Sequence, residues 1–300
     1  MAFQTAGLNY IGTRNEQAAS YAAAAAGYLD GMPGVCLVVS GPGVVHALAG
    51  LANAKENCWP MILIGGASDL NQSSTMAFQE SPQVEFVRPY VKFACVLDSV
   101  DRIPFLVHRA VRHALSGRPG PVYLDLPGNV VNTAATAFAL DDIPFDAMPA
   151  PPRSLADPQQ VELAANALLL AQRPLVIVGK GIAYARAEQQ MRSFIRNTQL
   201  PFLPTPMGKG VLPDSDPLNV IAARSFALKS ADVVVVAGAR LNWILHFGQP
   251  PRFAEGVKII QLDVCAEAMG DNADVIATLL GINHYAQGNI QFCFSRRDTT

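Results

Sequence analysis

The residues best able to do chemistry fall into two glycine-punctuated clusters, one in each half of the chain. In the first, Glu16 opens a stretch that is almost all alanine, AASYAAAAAGYL at 18–29. Thr13-Arg14-Asn15-Glu16 fits the S/T-x-x-E capping box, which satisfies orphan N–H groups at a helix start. A carboxylate beside so many small side chains has a second reading. Backbone or a flat ligand can come close there and little polar surface keeps the place wet. Desolvation would raise the pKa of Glu16 and suit it to share a proton with a ring nitrogen. The local pattern leaves both readings open.

SGPGVVH at 40–46 follows an apolar run and opens a helical one. Gly41 and Gly43 permit close backbone approach, and a helix N-terminus offers unpaired N–H groups to an anion or a polar ring. Gly41, Pro42, Gly43 and His46 are therefore candidate cofactor-facing residues, with an ordinary strand-to-helix turn as the alternative.

The second cluster begins with GKGIAYARAE at 179–188, which also links an apolar run to a helical pattern. A dinucleotide fingerprint needs Gly or Ala at its third glycine position for close helix–strand packing, and Tyr184 stands there. That argues against an NAD-dependent oxidoreductase and leaves room for another nucleotide site, with Gly179 at the helix entry. GARLNWILHFG at 238–248 places Arg240, Asn242, Trp243 and His246 where a parallel strand should end, and Asp263 ends the next apolar run. Open α/β sheets bind ligands at such ends. A surface loop and a structural carboxylate are the plain alternatives.

No metal cluster is expected. His108 and His113 are five apart on a helical pattern, where a zinc-binding face needs four, and MGDN at 269–272 reads as a surface turn.

These residues need elements to hold them. VCLVVS at 35–40, MILIGG at 61–66 and PVYLDLP at 121–127 read as strands of a first block, with helical patterns at 46–57 and 103–116 between them. Apolar strands alternating with helices predict a parallel sheet covered on both faces. A proline-rich seam, DDIPFDAMPAPPRSLADP at 141–158, precedes a second block with the same rhythm. That block has a helix at 157–172 and four strands: PLVIVGKG, PFLPTP, ADVVVVAGA and VKIIQLDV. The expected architecture is α/β, with two doubly wound parallel-sheet domains at 1–140 and 157–281, a linker at 141–156 and a divergent tail at 282–300. The opening is too short for a complete first βα unit, and the tail loses the strand–helix rhythm. Both ends read as parts of a partial module.

A chain of 300 residues with 50% hydrophobic and 15% charged residues can bury a sizeable core, yet no apolar run approaches the ~20 residues of a membrane span. A net charge of −2 without a basic patch argues against nucleic acid and anionic membrane as partners. The five cysteines are widely spaced and make no CxxC pair, so reduced thiols in an intracellular protein are expected. Neither a signal peptide nor an SKL-type address is visible, so the compartment, cytoplasmic or peroxisomal, is not written in this chain.

Eight segments together resemble one family. They are RNEQAA (14–19), SGPG (40–43), NCWPMILIGG (57–66), AFQE (77–80), GRPGPVYLDLP (117–127), PLVIVGKGIAYARAE (174–188), PTPMGKGVLPD (204–214) and GARLNWILHFG (238–248). They are similar to thiamine-diphosphate-dependent 2-hydroxyacyl-CoA lyases, near relatives of oxalyl-CoA decarboxylases and more distant ones of acetolactate synthases. RNEQ and SGPG belong to the wider superfamily, whereas PTPMGKGV with GARLNWILHFG points to the acyl-CoA branch.

The resemblance implies a pyrimidine-binding domain followed by a central domain. It also implies a carbon–carbon lyase that cleaves 2-hydroxyacyl-CoA to an aldehyde and formyl-CoA, in fatty acid α-oxidation. Glu16 matches the glutamate that hydrogen-bonds the aminopyrimidine of thiamine diphosphate, and Gln79 a position facing the reacting centre. Arg240 and Asp263 match positions that would meet phosphate and ribose of ADP or CoA on the central domain. The family's GDG…NN motif for Mg²⁺ and diphosphate is absent from these residues. The expectation is thus an incomplete lyase, inactive alone, that works as a homo-oligomer or with a chain supplying the pyrophosphate domain. The alternative is an inactive fragment that binds CoA or ADP.

Overall fold

The computed structural model describes residues 5–133 and 154–281. The chain divides into two compact units, Met1–Pro152 and Arg153–Thr300. Most of the expected linker and all of the tail lie outside the described residues. Ala156, placed in the linker by the sequence pattern, is buried in the core of the second unit.

The first unit opens with helix α1 (Glu16–Asp30). Its N-cap is Asn15, whose side-chain oxygen accepts the Ala18 N–H at 3.0 Å. The expected capping box is therefore corrected. Thr13 Oγ1 donates to the Asn15 carbonyl at 3.3 Å, and Glu16 is the first helical residue, too early to reach back as a capping-box glutamate. The helix stops at Gly31, which is left-handed at φ 71° and returns its N–H to the Gly27 carbonyl at 3.0 Å.

Small residues decide how α1 packs. Its buried face is Ser20, Ala23, Ala24 and Gly27, and it meets α2 (Pro42–Asn57) and β1 (Gly34–Val38). A Cβ on Gly50 of α2 would lie 2.2 Å from Ser20 Oγ, and one on Gly34 would lie 1.9 Å from the Ala23 carbonyl. The alanine run is thus the surface on which a second helix and a strand end sit.

Besides a helical turn at Gly128–Val131 and short 3-10 turns, this unit contains β2 (Met61–Ala67), α3 (Gln83–Val87), β3 (Ala94–Val96), α4 (Ile103–Leu115) and β4 (Pro121–Pro127). The strands form a parallel sheet in the order β1-β2-β4-β3. α1, α2 and α3 bury one apolar cluster with Val38, Met61, Leu63 and Tyr123. On the other face α4 presents Leu106, Ala110 and Ala114, at helical spacing, to Ile62, Val122 and Leu124. Coverage of both faces does not extend to β1, where Val35 is 59% and Leu37 43% exposed. α4 lies over β2 and β4 and leaves that edge strand uncovered. β3 was not expected, since a three-residue, half-buried edge strand carries little pattern.

The second unit has α5 (Pro158–Leu170), β5 (Pro174–Val178), α6 (Lys180–Tyr184), α7 (Glu188–Thr198), β6 (Phe202–Pro204), α8 (Arg224–Ser230), β7 (Val233–Ala237), β8 (Lys258–Asp263) and β9 (Val275–Leu280). Its sheet is parallel with order β6-β5-β7-β8-β9, one strand more than the four expected. The valines of β7 are buried throughout, and apolar clusters fill both faces. The apolar run ADVVVVAGA is the centre of a sheet.

Candidate functional site

In the first unit the register sets Val38, Gly65 and Asp125 side by side, near the carboxyl ends of β1, β2 and β4. Beyond β1 the chain turns at Ser40–Gly41 into α2. Gly41 is left-handed at φ 61°, and a Cβ on it would lie 2.8 Å from the backbone carbonyl of Gln79. Only glycine fits there. Pro42 takes the first helical position, where its missing N–H costs nothing, and Gly43 is buried against Val39.

Gln79 reaches this turn from a loop that Glu80 holds together. The Glu80 carboxylate accepts N–H groups from Ser74 at 2.5 Å and Ala77 at 3.1 Å. The Ser74 N–H is the largest influence holding this carboxyl below the usual glutamate range. Ser74, Met76 and Gln79 are all left-handed non-glycine residues, a concentration of backbone strain in one short loop. The Ser40 hydroxyl donates to Gln79 Oε1 at 3.3 Å.

Glu16 and His46 meet across the start of the two helices, Nδ1 to Oε2 at 3.4 Å. The Glu16 side chain keeps 35% of its surface exposed, so the dry carboxylate expected from its alanine neighbours is corrected. Those neighbours turn their small faces to α2 and β1, and Glu16 lies at the helix's first position, outside that contact. Below it, burial and secondarily the Glu16 charge push the Cys36 thiol up to about 11, which keeps it protonated and poorly nucleophilic at neutral pH.

Beneath the turn lies a buried polar group that the sequence did not announce. Gln83, 3% exposed on α3, accepts the Gly41 N–H through Oε1 at 2.5 Å. Its Nε2 lies 2.9 Å from the Gly66 carbonyl, 2.6 Å from Asp125 Oδ1 and 3.1 Å from the Tyr123 hydroxyl, which itself donates to Asp125 at 2.5 Å. Burial raises the Asp125 carboxyl, and the bonds from Tyr123 and Gln83 oppose that rise. Burial, then the Asp125 charge, drives the Tyr123 phenol far upward, so it stays a donor. The one available signal was an aspartate inside the otherwise apolar PVYLDLP.

The second unit gathers its expected residues differently. Gly179 and Gly181 lie against Gly238: their Cβ atoms would fall 2.2 Å from the Gly238 carbonyl oxygen and 2.8 Å from its Cα. The Gly181 N–H donates to that carbonyl at 2.9 Å. The close approach offered by these glycines is taken up by the chain's own backbone. The helix they open, α6, runs only five residues and ends before a left-handed Arg186, which corrects the expectation of a full helix N-terminus for a pyrophosphate. Tyr184 lies on α6 with the Lys180 ammonium 5.7 Å from its ring centroid.

Arg240 is half-buried three residues beyond β7, and Asp263 ends the adjacent β8. Asp263 is 7% exposed and accepts the Cys265 N–H at 3.0 Å. Trp243 is exposed, while His246 and Phe247 are consecutive left-handed residues, in a segment pinned by Asn242 accepting the Ile244 N–H at 3.1 Å. Among the described residues no group of three His, Cys, Asp or Glu could hold a metal ion, and Cys36, Cys58, Cys95 and Cys265 form no disulfide. No helix among them is long and apolar enough to cross a membrane.

Both units are parallel α/β folds, and the first carries a carboxylate at a helix start beside a glycine turn. The chain belongs to the thiamine pyrophosphate enzyme family. Its residues 1–86 match the N-terminal TPP binding domain and residues 161–283 the central domain of that family. It is 52% identical over 284 residues to human 2-hydroxyacyl-CoA lyase 1, covering 95% of this chain and 49% of the relative. Oxalyl-CoA decarboxylase of Escherichia coli K12 is 44% identical over 284 residues (93% and 50%), and 2-hydroxyacyl-CoA lyase of Saccharomyces cerevisiae 40% over 272 (89% and 48%). The chain spans about half the length of the curated relatives it matches.

Proposed function

We propose that this chain supplies the pyrimidine-facing half of a thiamine-diphosphate-dependent lyase that cleaves 2-hydroxyacyl-CoA to an aldehyde and formyl-CoA. One observation supports it above the others. Glu16 is free of capping duty and faces His46 at 3.4 Å, next to the Gly41 turn against which Gln79 is pressed. The names of the relatives support the choice of substrate.

The donor set suits the cofactor's aminopyrimidine ring. Glu16 is a half-exposed carboxylate able to hold a proton at a ring nitrogen, and His46 steadies it. Gly41, Pro42 and Gly43 present a surface with little side chain, which a flat ring can approach. When bound, thiamine diphosphate supplies a carbon nucleophile and an electron sink. Gln79, in reach of Ser40, orients the substrate's polar groups. Cleavage breaks the C1–C2 bond; the hydroxyl proton leaves as the aldehyde forms and a proton returns to the formyl carbon, so no oxidant is needed. Mg²⁺ and the diphosphate would be held by a pyrophosphate-binding domain of the family. In the second unit Arg240, Asp263 and Tyr184 would hold the nucleotide part of CoA, or ADP. A cytoplasmic or peroxisomal place of work goes with such a substrate.

A second reading is CoA or ADP binding without chemistry. It is favoured by Arg240 and the buried Asp263 at adjacent strand ends. Mixing the chain with a separately made pyrophosphate-binding domain of the family, with Mg²⁺ and thiamine diphosphate, tests the first reading. Formyl-CoA should appear, and Glu16→Gln should lower its rate by about 10²–10⁴-fold. Full activity of Glu16→Gln would remove Glu16 from the mechanism. Calorimetric silence toward both CoA and ADP would sink the second-unit assignment.

A further inference from the structure

Gln83 makes contacts that none of the roles above uses. It lies on a five-residue helix, yet its amide joins the ends of two strands to the turn that follows a third. Two of its partners are backbone groups with fixed chemistry: the Gly41 N–H can only donate and the Gly66 carbonyl can only accept. The amide therefore has one permitted orientation, with Oε1 toward Gly41 and Nε2 toward Gly66 and Asp125. Asp125 Oδ1 accepts from both Nε2 and the Tyr123 hydroxyl, which adds a second reason for that orientation. No other uncharged side chain of this length supplies an acceptor and donors so placed.

We propose that Gln83 is the positioning residue of the Ser40–Gly43 turn. By holding the Gly41 N–H inward it fixes the left-handed Gly41, and through it the Gln79 backbone packed on Gly41 and the Gln79 side chain bonded to Ser40. Gln83 itself is buried beneath the turn and acts through Gly41. Its effect on rate rests on the lyase reading; its effect on Gly41 does not.

The test has two arms. In the chain alone, labelled with ¹⁵N-glycine, Gln83→Met should move the Gly41 amide resonance upfield and speed its hydrogen exchange at least tenfold, with the second-unit glycines unmoved. In the chain completed by the pyrophosphate-binding domain, the same variant should lower kcat by about 10²-fold, the loss expected of a misplaced site, with KM within about twofold. A merely structural role would lower the folded fraction and leave the kcat of folded molecules alone.

Gln83→Glu gives the discriminating rescue. One oxygen of the introduced carboxyl can accept from Gly41, but the other faces the Gly66 carbonyl and Asp125 and must carry a proton to bond them. The titratable groups touching this position are Asp125 and Tyr123 of β4, while β2 and the turn contribute backbone. The Gly41 resonance and kcat of Gln83→Glu should therefore approach wild type as pH falls, while those of Gln83→Met should not. The proposal is overturned if Gln83→Met moves neither the Gly41 amide nor kcat. It is also overturned if Gln83→Glu shows no pH-dependent recovery, which decides the matter should Gln83→Met fail to fold. An inactive wild-type mixture would defeat the lyase reading, and the Gly41 resonance would then judge the positioning role by itself.

Discussion

The turns at Ser40–Gly43 and Gly179–Gly181 look alike as sequence. Each follows a parallel strand, each has two glycines separated by one residue, and each opens a helix. Their surroundings differ in kind. The Gly179–Gly181 turn is closed by the Gly238 backbone, and its helix breaks after five residues. The Ser40–Gly43 turn opens a 16-residue helix, and side chains from distant segments converge on it: Gln83 from below, Gln79 from the side, and Glu16 with His46 at the helix starts. A glycine pair after a strand says that something comes close. What comes close, the protein itself or a ligand, depends on residues far away in sequence.

The contrast can be broken at the glycines. The largest stability loss is expected for Gly179→Ala, whose Cβ would fall 2.2 Å from a backbone oxygen with no flexible side chain to give way. Overpacking of this sort costs ~1–3 kcal/mol or somewhat more. In urea the second unit should unfold earlier while the first is unmoved. Gly41→Ala meets the Gln79 carbonyl at 2.8 Å and adds a left-handed backbone. Its stability cost, ~1–3 kcal/mol, should appear in the first unit and come with a loss of cleavage in the completed enzyme. If Gly179→Ala left the second unit's unfolding midpoint unchanged, the self-packing account of that turn would fail.

The sequence carried most of the framework. Parallel strands read as apolar runs even where, as in β1, one face stays exposed, so β1, β2, β4, β5, β7 and β8 were legible, as were α4 and α5 by their periodicity. β3 was not, because three half-buried residues at a sheet edge carry too short a run, and β9, the apolar VIATLL, lay outside the four strands expected. Glu16 and the Gly41 turn could be found by local pattern, although the pattern misjudged why. It offered Glu16 a capping role that Asn15 performs, and a dry setting that the α1–α2 contact does not extend to. Gln83 had no local signal at all. It is 42 residues from Gly41 and 42 from Asp125, and only the neighbouring carboxyl ends of three strands bring them together.

The smallest expected effect concerns the loop that delivers Gln79, a feature the second turn lacks. Glu80 holds this loop through the Ser74 and Ala77 N–H groups, and its folded pKa lies below the ordinary value. A depressed carboxyl contributes stability above its unfolded pKa of ~4.3 and loses it as pH falls through the folded value. Between those two pH values the unfolded loop binds more protons than the folded one, so acid favours loosening. Because the loop it holds is exposed from Asn71 to Met76, the loosening is local and leaves the sheet intact. The Ser74 and Ala77 amide resonances should titrate together, with a midpoint under the ordinary glutamate value, and Glu80→Gln should abolish that titration. As they shift, the Gly41 resonance should follow weakly, since the Gln79 carbonyl packs on Gly41. A Gly41 signal wholly indifferent to Glu80 would mean that Gln83 alone sets the turn and that the loop merely rests against it.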